Sequence, residues 1–293
     1  MIYLSQAPFA LRYRRVAQGF DTSARTGRGL LKLNLVANQL MRWLLAIACI
    51  ACTAASAQPP EPRRSGFDDM SPQTQAMQRD DTQNPGMLWV QDGAALWDRA
   101  PSASAKPCAG CHAAAASSMR GVAARYPAFD AQLQQPVNLA QRINLCRERH
   151  QQSAAFAIES QELLALESYV ALQSRGLPVA PPANAVLQSF RERGAALYQE
   201  RIGQLDLSCA QCHDERAGKR LGGGLIPQGH ANGYPLYRLE WQALGSLQRR
   251  LRNCMTGVRA EPLAYGSQAL VELELYLAWR DRGMTVEAPA VRP

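Results

Sequence analysis

Apolar residues recur at helical spacing in two matched sets along this chain, and nowhere do they alternate over a run long enough to predict a strand. Trp89, Gly93 and Trp97 stand at i, i+4 and i+8, and Phe190, Gly194 and Tyr198 repeat the arrangement. Each set predicts a helix with an aromatic face and a glycine at which another helix can approach closely. Farther on, Leu166, Tyr169 and Val170 match Leu273, Tyr276 and Leu277, and each of these helices runs to a stop glycine, Gly176 or Gly283. Between them, Leu139, Ile143 and Cys146 match Leu247, Leu251 and Cys254, so each thiol falls on the apolar stripe of its helix. The expectation is an all-α fold of two tandem domains related by internal duplication, 86–180 and 185–293, joined through Pro178, Pro181 and Pro182. The Pro- and Gln-rich stretch 58–85 has little periodicity and is read as an extended segment lying on the surface or on a partner.

Composition adds chemistry to this repeat. Cys108-Ala-Gly-Cys111-His112 and Cys209-Ala-Gln-Cys212-His213 are both C-x-x-C-H, the attachment signature of heme c, and each begins fifteen residues after its repeat's glycine. Two thiols add across neighbouring heme vinyl groups while the next imidazole, His112 or His213, ligates the iron. One such motif is compatible with a redox dithiol, whereas two inside a repeat point to two heme c groups on two cytochrome c-like domains. A unit of this size has a small core, and a covalent heme supplies much of the missing apolar filling.

The first 57 residues read differently. From Met41 a basic start, a short apolar run and Ala55-Ser56-Ala57 form a signal peptide, 41–57, too short to span a bilayer, and Cys49 and Cys52 leave with it. Residues 1–40 are read as a mis-assigned start or a leader. Covalent heme attachment and export together imply the periplasm, with no membrane anchor. The part before Gln58 also holds most of the charge excess. Beyond it lie 25 of the 32 Lys and Arg but 23 of the 24 Asp and Glu, which removes any case for nucleic-acid binding.

Two further cysteines, Cys146 and Cys254, occupy equivalent positions with an arginine four residues earlier, Arg142 and Arg250. Three readings stand side by side: an interdomain disulfide, two inert buried thiols, or axial ligation of each heme iron by a thiolate, which lowers the heme potential. His150 is an alternative ligand for the first heme and otherwise a surface side chain; His230 borders the second site or makes a surface or heme-propionate contact; Met119 has no repeat counterpart and is a packing or loop residue. Arg259 is either an anion-binding residue or a structural ion-pair partner of Glu261 or of a heme propionate. Gly222-Gly-Gly224 lacks the lysine of a phosphate loop and is read as an ordinary loop.

Gly229-His-Ala-Asn-Gly-Tyr-Pro-Leu-Tyr237, Arg252-Asn-Cys-Met-Thr-Gly-Val-Arg-Ala-Glu-Pro262, Leu273-Glu-Leu-Tyr276 and Arg142-Ile-Asn-Leu-Cys146 resemble the diheme SoxA cytochromes of sulfur oxidation, over roughly 86–293. The resemblance implies His112/Cys146 and His213/Cys254 ligation, a catalytic Cys254 modified to a persulfide, and Arg250 as the residue holding an anionic substrate. It implies an L-cysteine S-thiosulfotransferase that couples thiosulfate oxidatively to a cysteine of the carrier SoxYZ, with a small c-type cytochrome, SoxX, as partner subunit. A thiosulfate dehydrogenase forming tetrathionate and a purely electron-transferring diheme cytochrome remain the alternatives.

Overall fold

The computed structural model describes residues 62–293; the signal-peptide and leader expectations for 1–57 lie outside these residues. Helices dominate, and each repeat is organised around one crossing pair. In the first repeat α2 (Gly86–Asp98) crosses α6 (Gln161–Leu172), and in the second α7 (Gln188–Gln199) crosses α10 (Gln268–Asp281). The short α1 (Pro72–Arg79), α3 (Cys108–His112), α4 (Ala115–Ser118) and α8 (Cys209–His213), and the longer α5 (Leu139–Gln151) and α9 (Leu247–Gly257), complete the set. Both crossings depend on glycine: a Cβ at Gly93 would collide with the Ala165 carbonyl, and one at Gly194 with the Glu272 carbonyl. Aromatic pairs flank them, Trp97 with Tyr169 at 5.8 Å and Tyr198 with Tyr276 at 5.3 Å between ring centroids.

The all-α expectation needs correction. Seven short strands are present: β1 (Ala128–Asp130) pairs with β2 (Gln135–Val137), β3 (Arg220–Leu221) with β4 (Gly224–Leu225), and β5 (Leu236–Arg238) lies between antiparallel β6 (Ala243–Gly245) and parallel β7 (Ala290–Arg292). None exceeds three residues, which is too short for a period of two to stand out in a sequence. Of the three glycines read as an ordinary loop, Gly222 and Gly223 form the exposed turn of the β3–β4 hairpin and Gly224 opens β4. The 58–85 stretch is likewise not extended throughout, since Ser71 caps α1 and Pro72 opens it. Its flank lies on the second repeat, where Arg63 donates to the carbonyls of Arg280 and Arg282 at 3.0 and 2.8 Å.

The two repeats contact each other reciprocally. Trp89 of the first helix packs on Tyr237 of the second repeat's hairpin, and Phe190 of the second repeat's first helix packs on Phe129 of the first repeat's hairpin. These are equivalent residues exchanged, as in an isologous dimer. Near this pseudo-axis lie another equivalent pair, Glu167 and Glu274, beside a cavity of ≈ 330 Å³. Glu274 accepts from Asn138 Nδ2 at 2.9 Å, whereas Oε2 of Glu167 is enclosed without a partner, although part of that side chain reaches the surface. Burial pushes the Glu167 carboxyl up to about 8, with the Glu274 and Glu159 charges adding to it, and burial likewise pushes Glu274 up to about 7. Both carboxyls thus keep a proton in the folded protein at pH values where the unfolded chain has released it. Their contribution is fully present below the ordinary carboxyl range and is lost as pH rises through about 7 and about 8. Glu167→Gln is expected to flatten the fall in melting temperature between roughly pH 5 and pH 8; a profile identical to that of the native protein would contradict the buried, protonated pair.

Candidate functional site

Each C-x-x-C-H motif folds as a single helical turn, α3 or α8, set against its repeat's first helix. Ser208 caps α8 in a capping box with Gln211, which starts that turn at Cys209. Trp97 Nε1 donates to the carbonyl of Ala113, just after His112, at 3.0 Å. In the second repeat the Tyr198 hydroxyl donates to Asp214 Oδ1, just after His213, also at 3.0 Å. The duplicated aromatic therefore positions the end of each motif. Arg280 adds a second bond to Asp214 at 2.6 Å.

The two imidazoles differ in support. His213 Nδ1 donates to the Pro227 carbonyl at 2.8 Å, which fixes the ring and leaves Nε2 as the nitrogen available to a metal. Gly229 lies against this ring in the left-handed region, φ 72°, and a Cβ there would fall 2.8 Å from His213 Cγ. The glycine of the Gly229-His motif thus allows the backbone to clamp the imidazole. His112 is exposed and packs on Trp97 at 5.8 Å between centroids.

Opposite these turns stand the two cysteine helices. Cys146 on α5 lies near Cys108 and Cys111, and Cys254 on α9 lies beside His213 and Cys209. All six described cysteines are free thiols. Burial pushes the Cys146 thiol up and the Cys209 thiol up to about 11. Cys254 is different: burial is the largest influence and acts upward, but hydrogen bonding to His213 and the charges of Arg250, His213 and Arg238 together outweigh it, leaving the thiol below its ordinary value.

These donors fit covalent heme c. Two thiols and an imidazole come from one turn, a further sulfur faces them, and apolar walls flank the space. The walls are Leu96, Met119, Val122 and Ile143 in the first repeat, and Leu197, Leu247 and Leu251 in the second. Met119 thus packs, as its lack of a repeat counterpart predicts. His150 is exposed at the end of α5.

The arginines one turn before the thiols have different fates. Arg142 is bound to Asp130 at 2.8 Å, and Arg149 reaches the same carboxylate at 2.8 Å. Asp130 is only 3% exposed, and its bond from Arg149 holds the carboxyl well below the usual carboxylate range. Arg250 makes no ion pair among the described residues. Arg259 closes α9 in the left-handed region, φ 58°, and the Glu261 pair, one of the alternatives read for it, does not form among the described residues. His230, expected at the surface or at the site's border, is instead buried, with Nδ1 2.6 Å from Asp281 Oδ1, while the Ala231 amide donates to the other oxygen at 2.6 Å. Its role is to tie the His213-clamping loop to the end of α10. No local signal in the sequence marks this pairing, because Asp281 lies fifty-one residues away.

The family model for the SoxA/TsdA cytochrome c domain matches residues 92–179 and 193–286. L-cysteine S-thiosulfotransferase subunit SoxA of Pseudaminobacter salicylatoxidans is 38% identical over 229 residues, covering 78% of this chain and 80% of that protein. The subunit of the same name from Rhodovulum sulfidophilum is 37% identical over 229 residues, covering 78% of this chain and 80% of that one. The crystal structure of SoxXA from P. pantotrophus superposes with a TM-score of 0.76 at 32% identity, covering 79% of this chain and 87% of that chain.

Proposed function

The chain belongs to the SoxA/TsdA cytochrome c family, and from that membership we propose that it is the diheme subunit of an L-cysteine S-thiosulfotransferase, acting on thiosulfate and a carrier cysteine. The observation that carries this reading is the second repeat's site, where Cys254 faces a clamped His213 with an unneutralised Arg250 one helical turn away. The domains are taken as 86–180 and 185–293, the second being catalytic. Cys108, Cys111, Cys209 and Cys212 hold the two hemes, and His112, Cys146, His213 and Cys254 are the iron ligands.

Thiosulfate and the carrier thiol lose one proton and two electrons as the sulfur–sulfur bond of an S-thiosulfonate forms; heme c, when bound, supplies one-electron acceptors for that pair. The protein's own residues bind and orient. The Arg250 guanidinium pairs with the sulfonate oxygens in fork geometry, holding the terminal sulfur toward Cys254. Packing around Leu247 and Leu251 keeps the thiol on the inner face of α9, and the Pro227 carbonyl keeps the His213 proton on Nδ1. The location is periplasmic, with the partners a SoxX-type cytochrome and a SoxYZ-type carrier; no helix among the described residues is long and apolar enough to cross a membrane.

The test is carrier dependence. Purified protein with its cytochrome partner, given thiosulfate and an electron acceptor, is expected to reduce the acceptor only when a carrier bearing a free cysteine is present, and that cysteine should gain the mass of a thiosulfonate group. Carrier-independent reduction with tetrathionate as product would instead identify a thiosulfate dehydrogenase.

A further inference from the structure

The two repeats align without insertion or deletion from Tyr126 to Cys146 and from Tyr234 to Cys254, each running Tyr-Pro, strand, turn, strand, cysteine helix. Matching features confirm the register: Ala128 opposes Val137 as Leu236 opposes Gly245, Gln134 and Gln242 both turn through the left-handed region, and Asn138 and Ser246 both cap the cysteine helix. In this register Arg142 corresponds to Arg250, and Asp130, the carboxylate that takes up Arg142, corresponds to Arg238. Arg149, the second partner of Asp130, corresponds to Gly257.

The charge facing the arginine is therefore inverted between the repeats. We propose that Arg238 is a second anion-binding residue of the Cys254 site, forming with Arg250 a two-guanidinium clamp for a small sulfur dianion, and that Asp130 closes the equivalent place in the first repeat by occupying Arg142. The inference rests on the thiosulfate-coupling reading and names a substrate-binding residue of the same site.

Arg238 ends β5, between β6 and β7, so the sheet rather than a mobile loop sets its position. Asp130 and Arg142 meet at 2.8 Å, and the matched register sets Arg238 in the corresponding place beside Arg250; the charges of both arginines bear on Cys254, on the half-buried Tyr234 and on Glu240. The one carboxylate partner of Arg238 among the described residues, Glu240, accepts from Nε at 2.8 Å but is 64% exposed, and a pair so open to water neutralises little. The terminal nitrogens stay available, and the Trp241 ring lies 5.5 Å from the guanidinium carbon. Two like charges near one half-buried thiol repel each other, and a dianion seated between them removes that repulsion while accepting paired hydrogen bonds. In the first repeat a buried carboxylate already does this for Arg142 and Arg149, so no anion is needed.

Arg238→Ala, Arg238→Lys and Arg238→Asp would be made in the heme-loaded chain with its cytochrome partner. Thiosulfate binding would be followed by calorimetry, coupling kinetics with carrier, and folding by heme absorption and melting temperature. Arg238→Ala is expected to weaken thiosulfate binding and raise KM by roughly 10- to 100-fold, the range for losing a charge-assisted hydrogen-bonded contact, with a much smaller change in kcat. Arg238→Lys should recover part of the binding, and Arg238→Asp should lose more than alanine because the new carboxylate captures Arg250. Native-like binding and KM in a folded Arg238→Ala protein would overturn the clamp, as would native protein that does not bind thiosulfate. Native protein that binds thiosulfate yet transfers nothing to the carrier would refute the coupling function alone, and Arg238 would still stand or fall on the binding comparison.

Discussion

Cys254→Ala is expected to lower carrier-dependent thiosulfate turnover by about three orders of magnitude or more, because under the proposed function the substitution removes the reacting sulfur rather than one of several supporting contacts. The same variant should lose one of two low-spin ferric signals of His/thiolate type in electron paramagnetic resonance of the oxidised protein, since the thiol faces His213 across the site. The two readouts separate chemistry from folding: a misfolded chain would disturb both signals and the melting temperature together. Retention of turnover, or an unchanged spectrum, would remove Cys254 from the mechanism and leave an electron carrier.

A second large effect is expected far from the chemistry. Gly194→Ala would drive a Cβ into the Glu272 carbonyl, at the crossing of α7 and α10, where backbone rather than a yielding side chain fills the space. Separating the helices would also disturb the Tyr198–Tyr276 pair and the Arg193–Glu272 ion pair beside it. The cost should be about 3 kcal/mol or more, which for a chain of this size lowers the melting temperature by roughly 10 °C. Gly93→Ala should act alike through the Ala165 carbonyl. By contrast Gly223, which a Cβ would leave in open space, should accept alanine with little change in melting temperature. Equal melting temperatures for Gly194→Ala and the native protein would show that the crossing is looser than described.

The duplication, the two attachment motifs, both helix crossings and the pairing of each cysteine with an arginine one turn earlier were all legible in the sequence. Each depends on residues close together in the chain, where helical periodicity or motif spacing constrains position directly. Gly93 and Gly194 even announced their own reason, since an aromatic, glycine, aromatic stripe on one face has few other uses. The strands were not legible, because three-residue segments leave no period to read.

What only the tertiary structure decided was electrostatic pairing across distance. Arg142 and Arg250 have identical local settings, and spacing alone assigns them identical roles. The fold gives one a buried carboxylate and leaves the other without an ion pair among the described residues. His230 was equally misleading, for nothing nearby in sequence points to Asp281, which draws it into the core. Local pattern thus determined where the helices, thiols and imidazoles stand. Which charges remain uncompensated depends on partners brought together by strand register and helix packing, and burial then decides how much each of them counts.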